Sequence, residues 1–258
     1  MNRIDQLFQQ KKNNVLNIYY TAGFPGLEDT LPILESLQKQ GADMVEIGIP
    51  FSDSLADGPV IQQSNEKALE NGMSLKLLFG QLHGFRDSIR IPVILMGSLN
   101  PVMRFGADAF LRTCKETGID GVILPDLPLD EYERDYAPLF ETYGVYPVFL
   151  VTPETTEARL RKIDTLSRGF IYAVSSSSTT GKEKDLQKQE DYFQRLQQME
   201  LKNPVLVGFG IKDKSTFAAA CAHTNGAVIG TAFIRALSSQ KDKDVSGAVQ
   251  GFLQSVLR

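Results

Sequence analysis

The sequence has little of what marks several protein classes. Its two cysteines, Cys114 and Cys221, are too few for a disulfide framework and lack the spacing of metal ligands. No apolar run approaches the roughly 18 residues that a membrane-spanning helix requires. The segment from Met1 to Lys11 is polar and has no apolar core of the kind that signal peptides carry. We therefore expect a cytoplasmic protein that contacts no membrane and has no disulfide framework.

The charged residues make a nucleic-acid partner equally improbable. Lysine and arginine number 27 against 31 aspartate and glutamate, which leaves a net charge of −4. No basic run and no acidic tail interrupts the chain. Hydrophobic residues make up 42% of the 258 residues, which is enough for one large core.

Short runs of β-branched and aromatic residues alternate with amphipathic stretches from one end of the chain to the other. Each run predicts a strand and each stretch a helix, and this alternation indicates parallel strands joined by right-handed crossovers. The predicted strands are Val15–Tyr20, Met44–Ile49, Pro92–Met96, Gly121–Leu124, Tyr146–Val151, Gly169–Val174, Pro204–Val207 and Ala227–Ile229.

Two architectures fit such an alternation, a closed barrel and an open doubly wound sheet. The open sheet usually carries a glycine-rich fingerprint after its first strand, and the segment Tyr20–Pro25 is not one. No linker rich in proline, serine and glycine divides the chain. The sequence therefore predicts an α/β fold, namely a (β/α)8 TIM barrel that forms a single domain over residues 1–258 with a short extra N-terminal helix.

An acidic residue lies on the inward face of the second predicted strand. By alternation Glu46 points into the barrel, where a carboxyl group is costly unless it is paired, hydrogen-bonded or used. Burial raises its pKa towards neutrality, which suits a group that both gives and takes protons. The loop that follows carries Asp53 and Asp57. The alternatives are a structural role for Glu46 and a plain helix cap for Asp57.

Glycines end the last two predicted strands, in Val207–Ile211 and in Ile229–Ala232. Backbone N–H groups can approach an anion closely there, and a helix that starts just beyond adds a favourable dipole. Loops at these positions form the recurrent phosphate site of barrels. Gly181 could complete the cradle, and Thr231 offers a hydroxyl donor. Neither motif contains lysine or arginine, so we expect phosphate binding mainly through backbone dipoles; ordinary turn glycines are the alternative.

Glu46–Asp53 followed by Leu55–Gln62 resembles the signature of the tryptophan synthase α-subunit family. Further similar segments extend over almost the whole chain, among them Thr21-Ala22-Gly23, Leu124–Pro128 and Gly208-Phe209-Gly210. The resemblance implies retro-aldol cleavage of indole-3-glycerol phosphate to indole and glyceraldehyde 3-phosphate. It implies no cofactor in this chain, and a pyridoxal-phosphate β subunit that receives the indole through a tunnel in an α2β2 complex.

The same resemblance implies roles for individual residues. Glu46 would be the main acid–base group, Asp57 would hydrogen-bond the indole N–H, and Tyr172 matches an active-site tyrosine. The residues expected to bind substrate are Tyr19, Met96, Thr180, Gly181, Gly210, Gly230 and Thr231. The residues expected at the β-subunit interface are Asp53, Asn100, Asp126 and Pro128, with Asp53 and Thr180 on the two loops that close over the substrate in the family.

The chain departs from the family pattern at two places. Ser98 stands where the family usually has a tyrosine, which affects a pocket or interface contact. Ser175–Ser178 replaces the usual Ser-Arg-x-Gly at the start of the loop after the sixth predicted strand, which affects loop closure or communication with the partner.

Other functions on a similar barrel make different demands on the sequence. A triose-phosphate type of isomerase would use a catalytic histidine, but His83 and His223 fall in helical stretches. An indole-glycerol-phosphate synthase would place a lysine inward on a strand, and no predicted strand contains one. A barrel that only activates a β partner, and a free-standing lyase that needs no partner, both stay open.

Overall fold

The computed structural model describes residues 1–54, 57–174, 183–208, 210–239 and 244–258, with the side chains of residues 183–189 outside that description. Every strand pairing in this part of the chain is parallel. The strands are β1 Val15–Thr21, β2 Met44–Gly48, β3 Val93–Met96, β4 Gly121–Ile123, β5 Tyr146–Val148, β6 Leu150–Val151, β7 Ile171–Val174, β8 Val205–Gly208 and β9 Gly226–Ile229.

These strands form one closed barrel. Their order in the sheet is β5-β4-β3-β2-β1-β9-β8-β7-β6, so the two ends of the sheet are consecutive in the chain and Phe149 joins them. The predicted fifth strand is therefore two short strands, while the ends of the others differ from prediction by one or two residues. The predicted TIM barrel, a single domain with an extra N-terminal helix, is confirmed.

Burial on both faces explains why the strands read as nearly continuous apolar runs. Alternate residues of each strand point into the barrel, and their neighbours point towards the helices. On β1, for example, Tyr19 lies in the inner cluster and Ile18 and Tyr20 lie in the outer one. The inner cluster also contains Met44, Ile94, Ile123, Val148, Phe170, Tyr172, Leu206 and Val228.

Helices surround the barrel, and their ends follow local sequence signals. Gly41 ends α2 with a positive φ of 99°, a conformation that glycine adopts without strain. Asp213 and Thr216 form a reciprocal capping box at the start of α11. The helices are α1 Arg3–Gln10, α2 Thr30–Gln40, α3 Pro59–Glu70, α4 Leu75–Gln81, α5 Leu99–Phe105, α6 Ala107–Thr117, α7 Leu129–Glu131, a π-helical turn Tyr132–Tyr136, α8 Ala137–Tyr143, α9 Glu157–Leu166, α10 Glu183–Gln198, α11 Lys214–Cys221, α12 Thr231–Ser238 and α13 Val245–Leu257.

None of the helices within the described ranges is both long enough and apolar enough to span a bilayer. The last stretch of the chain forms two helices, α12 and α13, and α13 packs on α2. The C-terminal helix therefore contacts the helix that follows the first strand of the barrel.

The N-terminal helix α1 closes the end of the barrel where the strands begin. Its side chain Ile4 is fully buried in the inner cluster. Asn2 caps the helix by accepting from the Ile4 N–H at 2.9 Å, and its own amide donates to the Asp120 carbonyl at 2.8 Å. The Tyr146 hydroxyl donates to Asp5 at 2.6 Å. Because α1 covers this end, the open end of the barrel is the one at which the strands end.

Candidate active site

A cavity of about 490 Å³ opens at the C-terminal ends of the strands. This is the end at which barrels of this kind carry their sites. Loops after strands on opposite sides of the barrel contribute to its wall, so residues far apart in sequence meet there. The residues predicted to act on or bind substrate that line it are Tyr19, Asp57, Met96, Tyr172, Gly210, Gly230 and Thr231.

Glu46 lies inside the barrel on β2, as the alternation of the strand predicts. Its side chain is 0% exposed. Oε1 accepts a hydrogen bond from the Asn17 side-chain amide at 2.6 Å, whereas Oε2 is buried and has no hydrogen-bond partner within the described ranges. Burial raises the pKa of Glu46 to about 8, and the hydrogen bond from Asn17 only partly opposes this. The carboxyl group is therefore held through one oxygen, and Glu46 is not itself among the residues that line the cavity.

Asn17 is the polar neighbour of Glu46 that the sequence reasoning missed. It sits on β1 two residues before Tyr19, is fully buried, and faces the barrel interior. Its amide donates to Glu46, while its own Oδ1 has no hydrogen-bond partner in the described structure. The signal was available, because an asparagine at an inward position of a barrel strand is as unusual as the glutamate that it contacts.

The raised pKa of Glu46 makes the stability of the barrel depend on pH. In the unfolded chain this carboxyl ionises near 4.5, and in the folded chain near 8. Between these values the unfolded state binds fewer protons, so the free energy of unfolding falls as the pH rises through this window.

We therefore expect Glu46→Gln to gain stability over the unmodified chain as the pH rises from about 5 to about 8, by on the order of a few kcal/mol. Urea unfolding of both proteins at each end of the window measures this difference. A difference that stays constant with pH would show that the carboxyl group is not protonated in the folded state.

Asp57 stands at the entrance of the cavity, directly before α3. Its backbone N–H donates to the Ser54 carbonyl at 3.0 Å, and its Oδ2 accepts from the Asn65 amide at 3.4 Å. Burial raises its pKa, and hydrogen bonds from Ser54 and Asn65 oppose the rise. The alternative of a helix cap is wrong, since Gly58 is the N-cap of α3 and no side chain caps that end.

Two tyrosines, Tyr19 on β1 and Tyr172 on β7, each place the phenol ring against a glycine of the neighbouring strand. A Cβ atom at Gly48 would overlap the Tyr19 hydroxyl, and a Cβ atom at Gly208 would overlap the Tyr172 hydroxyl. Only glycine lets each phenol lie against the neighbouring strand in this way. Burial raises the pKa of both tyrosines, and the nearby carboxylates raise it further. Both phenols therefore stay neutral and can donate hydrogen bonds.

The glycines predicted to bind phosphate lie together on the same wall of the cavity. Gly210 follows β8 with a φ of 76°, and Gly230 is the N-cap of α12, which begins at Thr231. The first N–H groups of a helix have no partner inside it and carry the positive end of its dipole. This corner is consequently suited to an anion. The other two residues predicted for substrate binding, Thr180 and Gly181, lie outside the described residues.

The residues predicted at a partner interface are exposed and follow three neighbouring strands, β2, β3 and β4. They are Asp53, Asn100, Asp126 and Pro128. Asp126 accepts from the Leu99 N–H at 2.8 Å and 3.0 Å and so ties the loop after β4 to α5. A second cavity of about 340 Å³ lies beside this surface, with Asp53, Asp126 and Ser98 in its wall. The serines Ser175–Ser178 lie outside the described residues.

The catalytic histidine that a triose-phosphate type of isomerase would use is not found among the described residues that line this cavity. His83 and His223 lie just beyond the ends of α4 and α11, and neither lines the cavity. Over the described ranges, no group of three or more histidine, cysteine, aspartate or glutamate side chains is arranged to hold a metal ion.

A closed parallel barrel with two carboxyl groups of raised pKa and an anion corner defines a barrel enzyme that works by acid–base chemistry on a small phosphorylated compound. The model of the family described as tryptophan synthase alpha chain matches residues 5–255. This chain belongs to that family, whose members are carbon–carbon lyases.

Individual relatives align with this chain over nearly their whole length. The tryptophan synthase alpha chain of Parabacteroides distasonis is 52% identical over 241 residues, which cover 93% of this chain and 94% of that one. The alpha chain of Flavobacterium johnsoniae is 49% identical over 257 residues, 99% of this chain and 100% of the relative. The crystal structure of tryptophan synthase subunit alpha from Legionella pneumophila superposes with a TM-score of 0.89 at 35% identity, over 99% of this chain and 97% of that chain.

Proposed function

We propose that this chain cleaves indole-3-glycerol phosphate into indole and glyceraldehyde 3-phosphate, with Glu46 as the group that moves both protons. One observation carries the proposal: a fully buried carboxyl group, held through one oxygen, has a pKa of about 8 and an unpartnered second oxygen. Near neutral pH such a group is largely protonated and can also take a proton back.

The reaction balances with this single carboxyl group. Protonated Glu46 gives its proton to the indole carbon that carries the glycerol side chain, and the ring becomes a cation with charge on its nitrogen. The carboxylate then removes the proton from the hydroxyl of the adjacent glycerol carbon. The O–H electrons form the aldehyde C=O bond, the carbon–carbon bond breaks, and its electrons return to the ring. Glu46 ends protonated, as it began.

Asp57 stabilises the cation in this scheme. Its carboxylate accepts a hydrogen bond from the indole N–H, and its charge opposes the positive charge that develops after carbon protonation. The bonds from Asn65 and Ser54 keep Asp57 in place and favour its ionised form. The neutral phenol of Tyr172 is a hydrogen-bond donor on the wall of the same cavity, where it orients the substrate.

Substrate binding divides between an apolar and an anionic end of the cavity. Tyr19 and Met96 are proposed to pack on the indole ring. Gly210, Gly230 and Thr231 are proposed to hold the phosphate through backbone N–H groups and the threonine hydroxyl. Thr180 and Gly181, which lie outside the described residues, are proposed to bind substrate as well.

This chemistry needs proton transfer and charge stabilisation alone, so no cofactor is proposed for this chain. A β subunit that carries pyridoxal phosphate is proposed to receive the indole in an α2β2 complex. The exposed residues Asp53, Asn100, Asp126 and Pro128, which lie on the loop after β2, on α5 and on the loop after β4, are proposed as its contact surface. The family's known assembly supports this part of the proposal, as does the position of these loops around the mouth of the barrel.

The test follows indole release from indole-3-glycerol phosphate by the purified chain, with and without a β subunit of the same family. Weak release alone and strong release with the partner are expected. Strong release by the chain alone would make it a free-standing lyase. No release under either condition would contradict the proposed reaction.

A further inference from the structure

We infer that Arg159 is the cationic recognition group for the substrate phosphate, a role that rests on the proposed function. Arg159 lies on α9, and of the basic residues within the described ranges it is the one that lines the active-site cavity. It stands far in sequence from the glycine motifs. It adds a positive charge to a phosphate site that those motifs alone would build from backbone dipoles.

The electrostatics of the cavity call for such a charge. Asp57 is the acidic side chain among the described residues that line the cavity, and the buried Glu46 becomes negative whenever it gives up its proton. A phosphate monoester brings close to two negative charges into the same cavity. An arginine offers several N–H donors in a planar fork that suits phosphate oxygens, and a charge-assisted hydrogen bond of this kind is about twice as strong as a neutral one.

Helix stability does not account for an arginine at this position. Thr156 is the N-cap of α9 and accepts from the Arg159 N–H at 3.4 Å, so Arg159 stands in the first turn. Helix dipoles disfavour cations there. Thr155 accepts from the Thr152 N–H at 2.9 Å and thereby fixes the loop that presents this turn to the cavity.

The other basic side chains of the same helix already have partners. Arg161 pairs with Glu157 at 2.9 Å, and Lys162 pairs with Asp130 at 2.9 Å and with Glu133. The exposed Arg159 side chain has neither an ion pair nor a hydrogen bond with any described residue. Among the described residues, Arg159 is therefore the basic side chain of α9 that has no ion pair and that lines the cavity, although its charge also acts on Asp130.

The experiment compares Arg159→Gln, Arg159→Lys and the matched control Arg161→Gln. We expect Arg159→Gln to raise KM for indole-3-glycerol phosphate by about tenfold with kcat nearly unchanged, because one charge-assisted hydrogen bond is lost from ground state and transition state alike. Calorimetry should show the same loss of affinity for glycerol 3-phosphate. Arg159→Lys should retain most of both, and Arg161→Gln should match the unmodified chain.

Two results would overturn the inference. One is a KM change in Arg159→Gln no larger than in Arg161→Gln, and the other is an equal loss towards indole-3-glycerol, which lacks the phosphate. Failure of the proposed function looks different. The unmodified chain would then release no indole, although its binding of glycerol 3-phosphate would still depend on Arg159 and support phosphate recognition.

Discussion

Glu46→Gln is expected to abolish indole release while the barrel stays folded. A glutamine side chain keeps the size of the glutamate, but it can neither give nor take a proton near neutral pH. Loss of a general acid–base group typically costs on the order of 10²–10⁴-fold in rate. Here one group serves both proton transfers, so the upper part of that range is expected for kcat, measured by indole release with and without a β subunit.

The surroundings of Glu46 explain why this variant should fold. The Asn17 amide can still donate to the oxygen at the Oε1 position, and a neutral amide side chain of the same size brings no charge into the barrel interior. Glu70→Gln is the matched control, because Glu70 is exposed on α3, where it pairs with Lys67, and it does not line the cavity. Substantial activity in a folded Glu46→Gln protein would refute the assigned role.

Asp57→Asn is expected to lose most of the rate as well, by on the order of 10²-fold, the usual cost of one group that stabilises transition-state charge. A neutral amide can still approach the indole N–H through its oxygen, but it cannot balance the cation formed by carbon protonation. The loss should therefore appear in kcat, with KM changed little. Steady-state kinetics on indole-3-glycerol phosphate measures both constants.

Asp87→Asn makes the same chemical change at an exposed position that does not line the cavity and serves as the control. If Asp57→Asn raised KM with kcat unchanged, Asp57 would be a binding residue. The stabilisation of the cation would then have to come from elsewhere.

The parts of the site that follow from strand alternation could be predicted from the sequence. The side-chain period of a strand is two in any context, so the inward direction of Glu46 and Tyr172 needed only the position of the strand. The barrel itself followed from the alternation of strands and helices. The glycines expected to bind phosphate could be placed on one wall of the cavity, because the C-terminal ends of parallel strands share one end of a barrel.

What could not be predicted depends on contacts between distant segments. The pairing of Asn65 with Asp57 joins a helix to the loop before it, and the arrival of Arg159 in the cavity depends on how α9 sits against the barrel. The division of the predicted fifth strand into β5 and β6 at Phe149 likewise depends on the register of these two strands with their neighbours. The residue pattern of one strand does not contain that register. The helix-cap hypothesis for Asp57 failed because Gly58 takes that position.

The position of α1 across the end of the barrel where the strands begin limits the order in which the chain can assemble. Helix α1 is synthesised before its partners, which come much later in the chain: Asn2 and Arg3 contact Asp120, and Ile4 packs beside Gly169. Until the chain through Gly169 has been made, α1 lacks part of the surface on which it packs, and contacts of such long sequence separation are slow to form. Helix α1 thus precedes its partners in the chain, and it can dock fully only when the strands that carry those partners are in place.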